Sequence, residues 1–460
     1  MLSSYKPIEV GMFEVLRERM QEHAHRIAIV SDGQEYTYLS LADAVAVKER
    51  AYRGVNIGSG DIVALIGEFS FESLACMLAL FLCKATIVPL TVEAHAKLGK
   101  YVDALQPDYL IDTYHGSAVQ PCAHAAHGAE WRAILPPTSG ALIVFTSGST
   151  GVPKAIVHDI DSLCYRYLDK KEPISSICFL LFDHMGGINT VLFLLFRGGT
   201  AVNVAERRVD LVCDAIQKYR IQLLPTTPSF LSQLLMARAY ASYDLSSLAV
   251  ISYGTEVMSE AVLKKMNEVL PKCVFKQTYG LSETGVLQIK SRSNDTLWFK
   301  FIDAGVESKV VDRVLWIKTK SNLLGKVLFS DGGLTLEKNA NEWFCTNDLV
   351  DIDGEYLMIL RRPTDIINVA GLKVYPSEVE NCIHELPFID DVFVKGKRHP
   401  LLGQIVIAYI LQDGSLDKAD AEKRIRQHCQ TRLEKFKVPS QFIFNWENFV
   451  NDRFKKVRTA

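Results

Sequence analysis

Short apolar runs alternate with helical patterns along the first part of this 460-residue chain, and that alternation sets its fold class. GMFEVLRERMQEHAH, residues 11–25, reads as an amphipathic helix. DIVALIG (Asp61 to Gly67) reads as a strand, SFESLACMLALFLCKA as a helix apolar on every side, and ATIVPL as the next strand. Further on, ALIVF, ICFLLF, TAVNV, IQLLPTT, LAVISYG and CVFKQTYG are short apolar strands, most of them separated by helical stretches. Such alternation predicts βαβ units around parallel sheets.

After about residue 298 the strands shorten and the turns tighten, as in WFKFIDAGVESKVVDRVLWIKTK and EYLMILRR, which predicts a β-rich subdomain. The last hundred residues carry a pattern of their own: a helix at SEVENCIHEL, strands at DVFVKGK and QIVIAYIL, and a charged helix at ADAEKRIRQHCQTRL. We therefore expect an α/β fold. A large N-terminal domain over residues 1–362 would combine parallel-sheet subdomains with the β-rich one, and a small mobile α+β domain would follow over 363–460.

Composition narrows the functional classes. The formal net charge of −2 gives no electrostatic reason to expect nucleic acid or an anionic membrane as partner. The ten cysteines form no CxxC pair and show no zinc-ligand spacing with histidine, so buried free thiols in a reducing compartment are expected. No basic-then-apolar leader opens the chain, and no run approaches the ~20 apolar residues of a spanning helix. A cytoplasmic location follows as the default.

The stretch ALIVFTSGSTGVPKAIVH carries the most chemistry. An apolar strand runs into TSGSTGVPK (Thr146 to Lys154). Gly148 and Gly151 let the backbone turn and present its amides, while Thr146, Ser147, Ser149 and Thr150 add hydroxyl donors and Lys154 a positive charge. Such a loop suits the phosphates of a nucleotide. It is not a Walker A loop, because Val152 and Pro153 precede the lysine and Ala155 follows it. TSGSTGVPK resembles the signature loop of the adenylate-forming superfamily, which includes acyl- and aryl-CoA synthetases, the adenylation domains of peptide synthetases and firefly luciferase.

Other segments resemble that superfamily's motifs in order. QTYGLSETG (Gln277 to Gly285) is similar to the YGxTE motif, with Ser282 in place of threonine. The resemblance puts Thr278, Tyr279 and Gly280 at the nucleotide, Tyr279 against adenine, Ser282 on the α-phosphate and Glu283 on Mg²⁺. SYGTEV resembles a wall of the adenine and acyl pockets, with Gly254, Thr255 and Glu256 as candidates. WFCTNDLV resembles WxxTGDL, which implies that Asp348 accepts from the ribose hydroxyls. Asn347 stands where glycine is usual, and asparagine is the non-glycine residue best able to keep a left-handed turn there.

RRPTDIINVAGLKVYPSEVE resembles the hinge motif, with Arg361 in place of the usual glycine. It implies Arg362 at the ribose and phosphate, Thr364 at the hinge, Gly371 in a thiol tunnel, and Lys373 facing the nucleotide or the thiol partner. KFKVPSQF matches a short motif before the last loop. DRFKKVRT stands where the catalytic lysine is expected, and its alignment favours Lys456 over Lys455. A lysine there reaches both the substrate carboxylate and the α-phosphate.

In LLFDHMGGIN, His184 resembles the residue that gates the carboxylate site of acyl- and aryl-CoA ligases. Asp183 keeps an alternative open, because amino-acid-activating domains use the aspartate of FDxS to hold a substrate ammonium. Phe230, in PTTPSFLSQLL, is a further candidate for the acyl pocket. The resemblance implies a ligase that uses ATP and Mg²⁺ to turn a carboxylic acid into an acyl-adenylate, then passes the acyl group to coenzyme A or to the phosphopantetheine thiol of a carrier protein. Two alternatives stand beside it: an amino-acid-type enzyme that loads a carrier protein, and a catalytically inactive nucleotide-binding protein.

Overall fold

The computed structural model describes residues 11–122, 130–146, 152–169, 171–204, 206–303, 305–319, 323–330, 333–338, 343–361, 367–369, 372–399 and 403–444. Two sheets form its larger part. The first runs in the order Val274–Gln277, Val250–Tyr253, Leu223–Thr226, Ser175–Ile177, Thr200–Val202, Ile27–Ser31 and Gln34–Thr37. Its neighbours are parallel except for the last pair, a hairpin. The second has a parallel centre of Ala141–Thr146, Thr86–Leu90, Ile62–Ile66 and Tyr109–Asp112, with antiparallel strands on both sides.

The helix apolar on every side, Phe71–Leu82, explains how the two sheets are joined. Ser70 caps it by accepting a hydrogen bond from the Ser73 amide at 3.0 Å. From Ser73 to Leu82 every residue is buried. Its side chains share one hydrophobic cluster with Ile29 and Ala201 of the first sheet and Leu65, Ile87 and Val144 of the second. A helix held between two sheets has no solvent face, so it needs no polar stripe.

The β-rich subdomain expected after residue 298 is a six-stranded antiparallel sheet between Ile289 and Arg361. One hairpin leaves it: Leu323–Ser330 with Gly333–Lys338 adds to the edge of the second large sheet, pairing Leu328 with Lys154. Nothing in the hairpin's own sequence marked that destination, since edge pairing is set by the partner strand. Beyond residue 366 the strands Ile367–Val369, Leu372–Val374, Ile389–His399, Gly403–Gln412 and Gln441–Ile443 form a further sheet, covered by helices Pro376–His384 and Lys418–Arg432. The hydrophobic cluster here draws on no residue before Ile367. All ten cysteines are free, and only Cys122 and Cys345 are not buried. Among the described residues no helix is long and apolar enough to cross a membrane.

Candidate functional site

In both large sheets the carboxyl ends of the parallel strands lead into the motif segments, which is where open α/β sheets bind ligands. Strand Ala141–Thr146 ends opposite the start of strand Lys154–Asp159, with Thr146 paired to Lys154. These two residues are the posts of the predicted phosphate loop. Ser147, Gly148, Ser149, Thr150 and Gly151 lie outside the described residues.

Four residues beyond Lys154, on the same strand, His158 is fully buried. Its side chain is hydrogen-bonded to the backbone of Ser282, and burial pushes its pKa down to about 4, so the imidazole is neutral at pH 7. His158 thereby ties the phosphate-loop strand to the YGLSETG turn. The sequence reading missed it. Its only signal was a histidine in the apolar run KAIVHD.

That turn is a hairpin, Tyr279–Leu281 against Gly285–Leu287. Gly280 is obligatory, because a Cβ there would meet the Gly285 carbonyl oxygen at 2.3 Å. The Thr284 hydroxyl accepts from the Leu281 amide at 3.1 Å and donates to the Gly285 carbonyl at 3.1 Å, which holds Ser282 and Glu283 half-buried at the tip. The guanidinium of Arg166 donates to the carbonyl of Val286 at 2.5 Å and braces the returning strand.

At the hairpin's base the Tyr279 hydroxyl donates to Asp348 Oδ2 at 2.7 Å, and both side chains are buried. The Tyr279 ring stacks on Phe299 and meets Phe301 edge-on. Asn347 has φ 58°, the left-handed geometry that asparagine was expected to tolerate. The Thr346 hydroxyl accepts from the Asp348 amide at 3.0 Å and donates to the Leu315 carbonyl at 2.8 Å, fixing that turn in the β-rich sheet. The predicted adenine and ribose residues are thus in direct contact.

Gly254 packs against Thr278, where a Cβ would meet Oγ1 at 2.3 Å, and the Thr278 hydroxyl donates to the Tyr253 carbonyl at 3.0 Å. Thr255 follows at φ 71° and is exposed. Glu256 turns to the amino end of helix Pro228–Met236, accepting from the Ser229 amide at 3.1 Å and its hydroxyl at 2.7 Å. A carboxylate there complements the helix dipole, beside Thr227, which caps that helix by accepting from the Phe230 amide at 3.2 Å.

Thr255, Thr227, His184, Phe179, Leu180, Leu181 and Arg207 line one small cavity of about 20 Å³. That is room for roughly one water molecule, so an acyl group must displace side chains to enter. His184 caps helix Met185–Leu195, its Nδ1 accepting from the Gly186 amide at 3.4 Å. Gly187 lets this helix approach closely, because a Cβ there would lie 2.1 Å from the Leu181 carbonyl oxygen. Asp183 is buried behind the pocket, where its Oδ2 accepts from the Thr91 hydroxyl at 3.5 Å. Phe230 is fully buried and packs edge-on to Phe179, so it backs the pocket wall without lining it.

Arg207 was not singled out from sequence, because AERRVD reads as an ordinary charged loop. A larger cavity of about 660 Å³ lies elsewhere, walled by Tyr101, Trp131, Phe329, Leu334 and Leu336. Its polar lining residues, Lys100, Gln106 and Ser330, belong to none of the motif segments, which it touches only at Val152, so we place the chemistry at the smaller pocket.

Arg362, Thr364, Gly371, Lys455 and Lys456 lie outside the described residues, as does the predicted domain boundary. Lys373 sits in strand Leu372–Val374 opposite Asn368. Among the described residues no group of three or more acidic, histidine or cysteine side chains could hold a metal ion. A Mg²⁺ ion usually binds through one or two carboxylates together with substrate phosphates and water, so Glu283 at the tip of its turn fits that chemistry.

The chain is similar to known proteins along its length. The profile described as AMP-binding enzyme matches residues 16–314, and that described as AMP-binding enzyme C-terminal domain matches 378–453. A long-chain-fatty-acid–CoA ligase of Mycobacterium tuberculosis is 27% identical over 324 residues, 66% of this chain. Here the chain spans only 63% of the relative's length. A feruloyl-CoA synthase of an Amycolatopsis species is 26% identical over 475 residues, covering 95% of this chain and 94% of that protein. Among solved structures, the anthranilate CoA ligase AuaEII in complex with anthranoyl-AMP superposes with a TM-score of 0.75 at 18% identity, covering 99% of this chain and 97% of that one, a likeness of fold. With the profile matched over well over half its residues, the chain belongs to the AMP-binding enzyme family.

Proposed function

We propose that this protein joins a carboxylic acid to a thiol through an acyl-adenylate. The observation that carries the reading is the fixed hairpin Tyr279–Leu287, tied at its tip to the phosphate-loop strand through His158 and at its base to Asp348. Together these ties bring phosphate, Mg²⁺, adenine and ribose candidates onto one connected frame. The relatives named as CoA ligases support the same chemistry.

In the first half-reaction a carboxylate oxygen of the acid bonds to the α-phosphorus of ATP, the α–β bridging bond breaks, and pyrophosphate leaves. Thr146, Lys154 and the loop between them hold the phosphates. Ser282 contacts the α-phosphate, and Lys456 spans substrate carboxylate and phosphate. Glu283 would hold Mg²⁺, which offsets charge on the phosphate oxygens. Asp348 and Arg362 take the ribose, with Tyr279, Gly254 and Thr278 around the adenine. His184 borders the entering carboxylate.

In the second half-reaction a thiol sulfur bonds to the acyl carbon, AMP leaves, and the thiol proton goes to solvent. Residues 363–460 turn about Thr364, withdrawing Lys456 and opening a path past Gly371 and Lys373. The acceptor is coenzyme A, with a carrier-protein phosphopantetheine as the second reading. The buried position of Asp183 behind the pocket favours an acid without an ammonium group.

The test is pyrophosphate release across a panel of carboxylic acids, with and without coenzyme A, for wild type and Lys456→Ala. Acid-dependent release, thioester formation with coenzyme A, and loss of release in the variant are the expected results. Release without thioester would transfer the acceptor role to a carrier protein. ATP binding with no release for any acid would favour a catalytically inactive nucleotide-binding protein.

A further inference from the structure

Arg207 lies between strand Thr200–Val202 and helix Val209–Tyr219, at the wall of the pocket that His184 and Thr255 also line. Its Nε donates to the carbonyl of Phe179, which aims the guanidinium along that wall. An arginine has five N–H donors. Among the described residues the other four meet no protein acceptor, and no carboxylate lies within 4.0 Å.

Two acids stand farther off. Glu68 is half-buried, which raises its pKa, and Asp183 Oδ2 accepts from the Thr91 hydroxyl. Both act on Arg207 through space without pairing with it. A half-buried fork of donors, already oriented and left open toward a binding cavity, is an arrangement suited to a bidentate oxygen ligand. The other lining groups are apolar side chains, two threonines and His184, so nothing else in the pocket matches that fork.

We propose that Arg207 is a specificity residue, and that the acid activated here carries a second oxygen acceptor on its acyl part, best a second carboxylate. The inference rests on the adenylating reading above and names the substrate class of that same pocket. One carboxyl would react with ATP beside His184 and Thr255, while the other pairs with the guanidinium.

The experiment compares acids matched in skeleton, benzoate with the three phthalate isomers and hexanoate with adipate. Pyrophosphate release and calorimetric binding are measured for wild type, Arg207→Met and Arg207→Lys. Wild type should favour at least one diacid over its monoacid partner. Arg207→Met should lose that preference, with kcat/KM for the diacid falling roughly tenfold or more relative to the monoacid, mostly through KM. Arg207→Lys should recover part of it, because the charge remains but the fork is lost.

Equal use of mono- and diacids by wild type would overturn the proposal. So would a uniform loss for both in Arg207→Met, which would put the guanidinium on the reacting carboxyl. Binding separates this proposal from the reading beneath it. Arg207-dependent diacid binding without any pyrophosphate release would sink the adenylating reading and leave the pocket's specificity standing, and neither binding nor release would sink both.

Discussion

The hydrogen bond between Tyr279 and Asp348 joins two elements that are 69 residues apart, and both partners are out of solvent. Removing the phenolic donor takes a charged-acceptor hydrogen bond from a buried site, which costs about 1.5–3 kcal/mol. Tyr279→Phe should therefore lower the unfolding free energy by that amount, seen as a lower denaturant midpoint at unchanged slope, and weaken ATP binding in the same preparation. His158 gives a second prediction, in pH. Its folded-state pKa is about 4, below the ordinary value of 6.5. The unfolded chain thus takes up a proton first as pH falls, so the stability His158 contributes is complete above pH 6.5 and drains away between 6.5 and 4. At 1.36 kcal/mol per unit the loss is roughly 3 kcal/mol. His158→Gln, which keeps a donor for Ser282 but does not titrate, should flatten that part of the acid limb of a stability–pH curve. Neither residue's partner was legible from sequence. Tyr279 and Asp348 were each marked by their motifs, but motifs are local and the bond between them is made by the β-rich sheet folding back. His158 belonged to no motif.

Elements were more legible than contacts. The helices at residues 11–25 and 70–85 and the strands around them stood out because period and length agree there. They fold as Met12–Glu22, Phe71–Leu82, Ile62–Ile66 and Thr86–Leu90. Of the run ICFLLF, expected as a strand, only Ile177 lies in one, Ser175–Ile177, and the chain then turns to bring His184 to the start of its helix. The cause is Gly187, whose missing Cβ lets that helix close on the Leu181 carbonyl. Gly187→Ala should push the helix off the pocket wall. We expect a destabilisation of about 1–3 kcal/mol, as for other overpacked sites, with KM for the acid rising more than kcat falls. Denaturation and steady-state kinetics on one variant measure both.

At the scale of the whole molecule, the hydrophobic cluster formed beyond residue 366 takes every one of its members from that stretch of chain. Calorimetry should accordingly resolve two unfolding transitions, and a chain of residues 1–362 should keep only the first. A single transition that survives this truncation unchanged would argue against two cooperative units. The hairpin Leu323–Ser330 with Gly333–Lys338 has a different consequence, felt during synthesis. Strand Lys154–Asp159 leaves the ribosome with one edge satisfied by Ala141–Thr146, and its other edge waits for a strand whose Leu328 lies 174 residues downstream of Lys154. At the usual 5–20 residues per second the wait is roughly 10–30 s. For that interval the nascent chain exposes an apolar strand with unpaired amides beside the segment proposed to hold ATP, the kind of edge that recruits other chains. Overexpressed protein should therefore be lost mainly as it is being translated, so slower growth or added chaperone should raise the soluble yield while leaving the melting temperature of the finished molecule where it was.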